Sequence, residues 1–125
     1  MKLKDLNHES EIDSFFHELK EFLLRSSRNA WLHSENDVIQ VYVRKAFHRI
    51  GDDMPKTLDI ANIKVDELTQ GKGIGTAVVN GIHAINPFPV TYIENILNTS
   101  FYDHLKKHGW LDVDNSNPPC VYKAK

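Results

Sequence analysis

Apolar and polar residues alternate from 38 to 48, and a second β-branched run spans 57 to 65. The spacing then turns helical at Ile74, Val78, Ile82 and Ile85. These three features mark an α/β chain, with strand, glycine-rich connector and helix at its centre. The expected architecture is a central mixed, mostly antiparallel sheet flanked by helices, in the order α-β-β-α-β-α-β-β. A length of 125 residues makes residues 1–125 a single domain.

The first helix is expected over about residues 10–25. Ser10-Glu11-Ile12-Asp13 resembles a helix-start box with Asp in place of Glu, and Ile12, Phe15, Phe16, Leu19, Phe22 and Leu23 form one apolar stripe. Such a stripe suits core packing, with a pocket lining as the alternative. Ala30-Trp31-Leu32 has no deciding period, and Ser34-Glu35-Asn36-Asp37 reads as a turn. Val38 to His48 reads as a long strand, with Ile39, Val41, Val43 and Phe47 on one face and Gln40, Tyr42, Arg44 and His48 on the other. The loop Gly51-Asp52-Asp53-Met54-Pro55 leads to an antiparallel strand over Thr57–Val65. There strict alternation puts Asp59, Ala61, Ile63 and Val65 on one face and Leu58, Ile60, Asn62 and Lys64 on the other.

The helix opening near Gly73 should stop at Asn86, because Pro87 disfavours helix in the residue before it. Val90–Ile93 is a short buried strand. Asn98 is a good N-cap for the following helix and Gly109 a good residue just past its end. Trp110–Val113 and Cys120–Lys123 close the chain as a hairpin, whose edge could pair with a second copy to form a homodimer.

Composition narrows the function classes. With 41% hydrophobic and 26% charged residues the chain has the balance of a globular domain rather than a disordered one. A net charge of −2 offers no bulk basicity, so no nucleic acid partner is expected. Cys120 is the one cysteine, which excludes an intrachain disulfide and a four-cysteine zinc site. The opening residues lack the apolar run of a signal peptide and no segment reaches the ~18 apolar residues of a membrane span, so the expectation is a cytoplasmic protein without a membrane partner.

The central connector carries the chemistry. Gln70-Gly71-Lys72-Gly73-Ile74-Gly75-Thr76 joins the apolar run ending at Val65 to a helix. First-turn amides of a helix have no intrahelical partner, and the helix dipole favours an anion beside them. A Walker A loop requires lysine after its last glycine, and here Lys72 precedes Gly73. A dinucleotide fingerprint requires G-x-G-x-x-G and an acidic residue about 20 positions on, and neither is present. Gln70, Gly73 and Gly75 do fit Q/R-x-x-G-x-G/A. This resembles the pyrophosphate loop of the GNAT acetyltransferase superfamily, and the following Val90–Ile93, Asn98-led helix and Gly109-Trp110 pair resemble that family's later elements. The resemblance covers about Thr57 to Lys125, with an abbreviated N-terminal half. The rival reading is a glycine loop that only makes a tight turn.

The resemblance implies acetyl-CoA as co-substrate, an amine acceptor and no metal. Backbone groups of Ile63 and Val65 would bind the pantetheine, and Gln70, Gly71, Lys72, Gly73, Ile74, Gly75 and Thr76 the pyrophosphate, with Asn98 also on the cofactor side. An amine nucleophile must be neutral. A lysine of pKa ~10.4 is about 3 units too basic at pH 7, roughly 4 kcal/mol, whereas an α-amine near ~7.7 needs less help. Asp59 is a candidate general base if burial raises its pKa, and Glu94 is the alternative. The position where the family often carries an acidic tyrosine is Leu105, so Tyr102, one turn earlier, is the candidate proton donor. That departure keeps a second reading open, a non-catalytic acyl-CoA-binding or regulatory domain. His104 and His108 have metal-compatible spacing without a third ligand, His83 reads as structural or exposed, and Cys120 as an inert thiol.

Overall fold

A computed structural model describes residues 3–25, 31–35, 39–65, 73–96, 98–114, 116 and 118–125. The elements run α1 (Leu3–Leu24), β1 (Trp31–Glu35), β2 (Ile39–Phe47), β3 (Lys56–Val65), α2 (Ile74–Ile85), β4 (Val90–Ile93), α3 (Thr99–Lys107), β5 (Leu111–Asp112) and β6 (Val121–Ala124). The six strands form one sheet ordered β1-β2-β3-β4-β6-β5. Among the described residues only β3 and β4 pair in parallel, and α2 lies in the crossover that a parallel pair needs.

Three expectations shift. α1 starts at Leu3, so Ser10–Asp13 lies inside the helix. The good helix formers Lys4, Glu9 and Glu11 extend it beyond the apolar stripe that first announces it. Trp31–Glu35 is a strand, not an undecided stretch leading into a turn at Ser34. It is ordered by antiparallel pairing with β2, in which Trp31 faces Arg44 and Glu35 faces Gln40. The third correction concerns β3. Tyr42 pairs with Asn62 but Val43 pairs with Ile60, leaving Ala61 as one residue too many on β3. That bulge reverses the alternation. Residues facing each other across strands share a face, so Ile63 opposite Val41 joins Ile60 opposite Val43, and Asp59 opposite Arg44 falls on the other face.

The core lies on the Val41–Val43–Ile60 face. Phe15, Leu19 and Phe22 of α1 and Val78, Val79 and Ile82 of α2 pack there, with Leu105 and Trp110 joining from the α3 end. The two long helices touch at Gly81, where an added Cβ would lie 2.5 Å from the Phe16 ring, so only glycine admits that approach. Lys45 continues the core face of β2 and is buried. Its ammonium leaves the core by donating to the Arg25 carbonyl at 2.6 Å, 4.7 Å from the Phe22 ring centre. Phe47, two residues on, is 57% exposed rather than packed.

Helix ends behave as the sequence suggests. The Asn98 side chain accepts from the Phe101 amide at 3.0 Å. Gly109, at φ 92°, closes α3 with Trp110 N–H bonded to the Leu105 carbonyl and Gly109 N–H to that of Lys106. Asn86 ends α2 and is buried, donating to the Val90 carbonyl and the Thr91 hydroxyl and accepting from Phe88 N–H.

Asn95 sits at φ 53°, two residues beyond the end of β4. Asparagine tolerates this left-handed conformation, but a β-branched side chain is penalised by about 1–2 kcal/mol. Asn95→Val is expected to lower unfolding free energy by that amount and Asn95→Gly to leave it nearly unchanged. Urea midpoints at constant m-value measure both.

Candidate active site

β3 and β4 stay together for four residue pairs, from Thr57↔Val90 to Ile60↔Ile93. The Glu94 amide still bonds to the Ile60 carbonyl at 3.0 Å, and then Asn95 turns the chain aside. The Ile96 amide bonds to the Pro119 carbonyl at 2.8 Å instead. β3 meanwhile continues to Val65, paired with β2 alone. Between Ala61 and Val65 one edge of β3 thus has no strand partner among the described residues. Ile63 belongs to this edge and its side chain packs half-buried against the core.

The helix that follows begins close to that edge in sequence. Gly73 is the N-cap of α2 at φ 76°, ψ 11°, with no side-chain hydrogen bond and no acidic residue in the first turn. Its carbonyl accepts from Ala77 N–H at 2.9 Å. The amides of Ile74, Gly75 and Thr76 precede the first intrahelical donor, so they have no intrahelical acceptor. Gln70, Gly71 and Lys72 lie outside the described residues.

A second group of side chains gathers where the two strands part. Asp59 is fully buried. Its Oδ1 accepts from the Thr57 hydroxyl at 2.6 Å, and its Oδ2 from Arg44 Nε at 2.9 Å and His48 Nε2 at 2.6 Å. Arg44 reaches onward with Nη2 to Glu94 Oε1, bridging the two carboxylates. The His48 ring lies flat on Tyr92, with centres 3.7 Å apart and planes within 1°. An uncompensated buried carboxylate would cost several kcal/mol, and this one is held by a cation and two further donors.

The two carboxyls respond oppositely. Burial pushes Asp59 up, but hydrogen bonds from His48, Thr57 and Arg44 outweigh it and hold the group below the ordinary carboxylate range. The condition attached to Asp59 as a base, a raised pKa, is therefore not met. Burial, followed by the hydrogen bond shared with Asp59, raises Glu94 against the pull of Arg44. Burial, then the Cys120 thiol, raises the Tyr92 phenol.

His48, Asp59 and Glu94 each offer an atom within 4.8 Å of the others, a spacing that could hold a metal ion. Arg44 already supplies positive charge to both carboxylates there. His104 and His108 are not in that group. Their rings lie 4.2 Å apart and His108 Nδ1 bonds to the His104 carbonyl. His83 is held by Thr91 Oγ1 at 2.8 Å. Cys120 is buried, with its sulfur 3.5 Å from the Asn95 amide nitrogen.

The structure thus brings Asp59 and Glu94 together and leaves Tyr102 apart from them. The Tyr102 hydroxyl donates to Asp112 at 2.5 Å, between α3 and β5, an interaction that raises its pKa. The Asn98 side chain is engaged as a helix cap. Leu105 is buried in the core. Arg44 and His48 are members of the cluster that sequence reasoning missed. Both stand on the polar face assigned to Val38–His48, but only the strand pairing of Arg44 with Asp59 and the contact of His48 Nε2 with Asp59 Oδ2 distinguish them from solvated residues.

No protein-family profile and no curated protein matches the sequence. Solved structures do match in fold. An AtaT toxin variant, bound to the C-terminus of the antitoxin AtaR and acetyl-CoA, gives a TM-score of 0.55 at 12% identity, over 70% of this chain and 60% of that one. AtaT complexed with acetyl-methionyl-tRNAfMet gives 0.55 at 11% identity, over 70% of this chain and 62% of that one. A protein assigned as an acetyltransferase from Agrobacterium tumefaciens gives 0.54 at 12% identity, over 100% of this chain and 95% of that one. The chain spans about 60% of the toxins' length. Its fold, a six-stranded mixed sheet with three helices, is GNAT-like. No helix among the described residues is long and apolar enough to cross a membrane.

Because Asp59 titrates lower folded than unfolded, its stabilisation is present above its unfolded pKa, ~3.9, and is lost as pH falls through the folded value. Breaking a buried ion pair from one side typically costs about 3–5 kcal/mol. Asp59→Asn is expected to lose that much at pH 7 and much less near pH 2. Urea unfolding at both pH values tests this, and an undiminished loss in acid contradicts it.

Proposed function

We propose that this chain is an acetyl-CoA-dependent N-acetyltransferase in which a primary amine attacks the thioester directly. The carrying observation is the pairing of a one-sided strand edge, Ala61–Val65, with a glycine-capped helix whose first turn holds neither a side-chain cap nor a carboxylate. Amides without an intrahelical acceptor suit a diphosphate, and a strand edge without a neighbour among the described residues suits the amides of a pantetheine arm. The GNAT-like fold and the acetyl-CoA bound to one structural neighbour support the reading. In it Gln70, Gly71 and Lys72 complete the anion site with Gly73–Thr76, while Ile63 and Val65 offer backbone groups to the arm.

Acetyl-CoA supplies an activated acetyl group. The protein must hold it, exclude water from it and accept a proton from the amine. The group around Asp59 lies next to Ile60, the last β3 residue paired with β4, and serves the last of these needs. Tyr102 remains assigned to Asp112, and the departing sulfur needs no dedicated donor in this scheme, because a thiol of pKa ~8.5 leaves readily near neutral pH.

A second reading, a coenzyme A-binding domain without turnover, is favoured by the buried Leu105 at the position where the family resemblance places a tyrosine. Thiol release from acetyl-CoA over a panel of polyamines, peptide α-amines and lysine peptides separates the two. Turnover with any acceptor excludes the silent domain.

Calorimetry with acetyl-CoA is expected to show binding, and its absence at millimolar ligand counts against both readings. Thr76→Asp places a carboxylate in the first turn of α2. It is expected to keep or raise fold stability by about 0.3–1 kcal/mol while weakening coenzyme A binding about tenfold or more, since the new charge favours the helix dipole and repels phosphate. Equal affinity in wild type and Thr76→Asp would remove the diphosphate from this helix.

A further inference from the structure

We infer that His48 is the proton acceptor for the incoming amine and that Asp59 is the positioning residue that keeps its ring in the required tautomer. The assignment rests on the acetyltransferase reading and deepens it. Four observations carry it.

The first is tautomeric. An ionised carboxylate only accepts hydrogen bonds, so His48 Nε2, 2.6 Å from Asp59 Oδ2, carries the hydrogen. The neutral ring then has its lone pair on Nδ1, and no hydrogen bond engages Nδ1 among the described residues. The second is orientation. The ring is pressed flat on Tyr92 and tied to β3, so its remaining nitrogen has a set direction. The third is access. The His48 side chain is 23% exposed while that of Asp59 is closed off, so an amine can meet the imidazole but not the carboxylate behind it. The fourth is elimination within the cluster. Arg44 binds Glu94 directly and Asp59 from the same guanidinium, leaving the imidazole as the basic group not tied to the cation. The groups around the ring are Asp59 from β3, with Thr57 and Arg44 of β2 bonded to it, Tyr92 from β4, and Glu94 from the residue after β4.

The proton balance is closed. The acceptor ammonium gives one proton to His48 Nδ1. The freed nitrogen pair forms the bond to the acetyl carbon as the carbon–sulfur bond breaks. Sulfur leaves with the electron pair of the broken carbon–sulfur bond and takes the second amine proton, and His48 returns the first to solvent. Ammonium and thioester become amide, thiol and one proton.

Nitrogen-15 NMR of the ligand-free protein reads the tautomer without any reaction. The neutral His48 ring is expected to carry hydrogen on Nε2 alone, and in Asp59→Asn to distribute it over both nitrogens. Hydrogen on Nδ1 in the wild type overturns the assignment. In the amine panel, His48→Gln is expected to lower kcat about 10²–10⁴-fold with the KM for acetyl-CoA unchanged. His48→Ala, folded by circular dichroism, should recover part of its rate with added imidazole. Wild-type rates in His48→Gln overturn the assignment alone. Failure of wild-type protein to bind acetyl-CoA overturns the function reading and the assignment together.

Discussion

β3 has two neighbours that need different things from it. β2 pairs with it from Lys56 to Val65, whereas β4 follows only from Thr57 to Ile60. One residue in excess, Ala61, and one left-handed residue, Asn95, separate these two lengths. A bulge increases local twist and disturbs the ladder, and the turn at Asn95 sends the next amide to Pro119. The gap between the strands is therefore a consequence of hydrogen bonds made elsewhere, and it leaves one edge of β3 without a strand beside it among the described residues.

The same bulge sorts the side chains. By reversing phase at Ala61 it keeps Ile60 and Ile63 on the packed face while Asp59 stays with Arg44 on the other. Burial of Asp59 is then tolerable because Thr57 of β3, Arg44 of β2 and His48 just beyond β2 supply its donors. A charge compensated in this way has little freedom, which suits a group whose task is to orient others. Glu94, closing the network beyond β4, links the charge pattern to the point where the sheet opens.

The helices are anchored by ends as much as by faces. The Asn86 side chain makes three hydrogen bonds, and Lys125 donates to the His83 and Ala84 carbonyls at the C-terminal end of α2. α3 is held by the Asn98 cap and the Gly109 closure, with Trp110 and Leu105 packed beneath it. The start of α2 contrasts with these, since Gly73 brings no side chain to its amides. A helix closed at its C-terminal end, and without a side-chain cap at its start among the described residues, directs the positive end of its dipole outward there.

Local signals determined much of the chain from sequence. Pro87 and Asn86 set where α2 stops, Asn98 and Gly109 bracket α3, and alternation gave β2 its two faces, because each depends on the conformation of a few neighbouring residues. The glycine pattern after Val65 pointed to the GNAT-like fold for the same reason. Tertiary structure decided the rest. β1 exists through its partner, Ala61 becomes a bulge only against Tyr42 and Val43, and Arg44, His48, Asp59 and Glu94 meet although they are spread over 50 residues. Strand register is a non-local property, and a shift of one residue moves every following side chain to the opposite face.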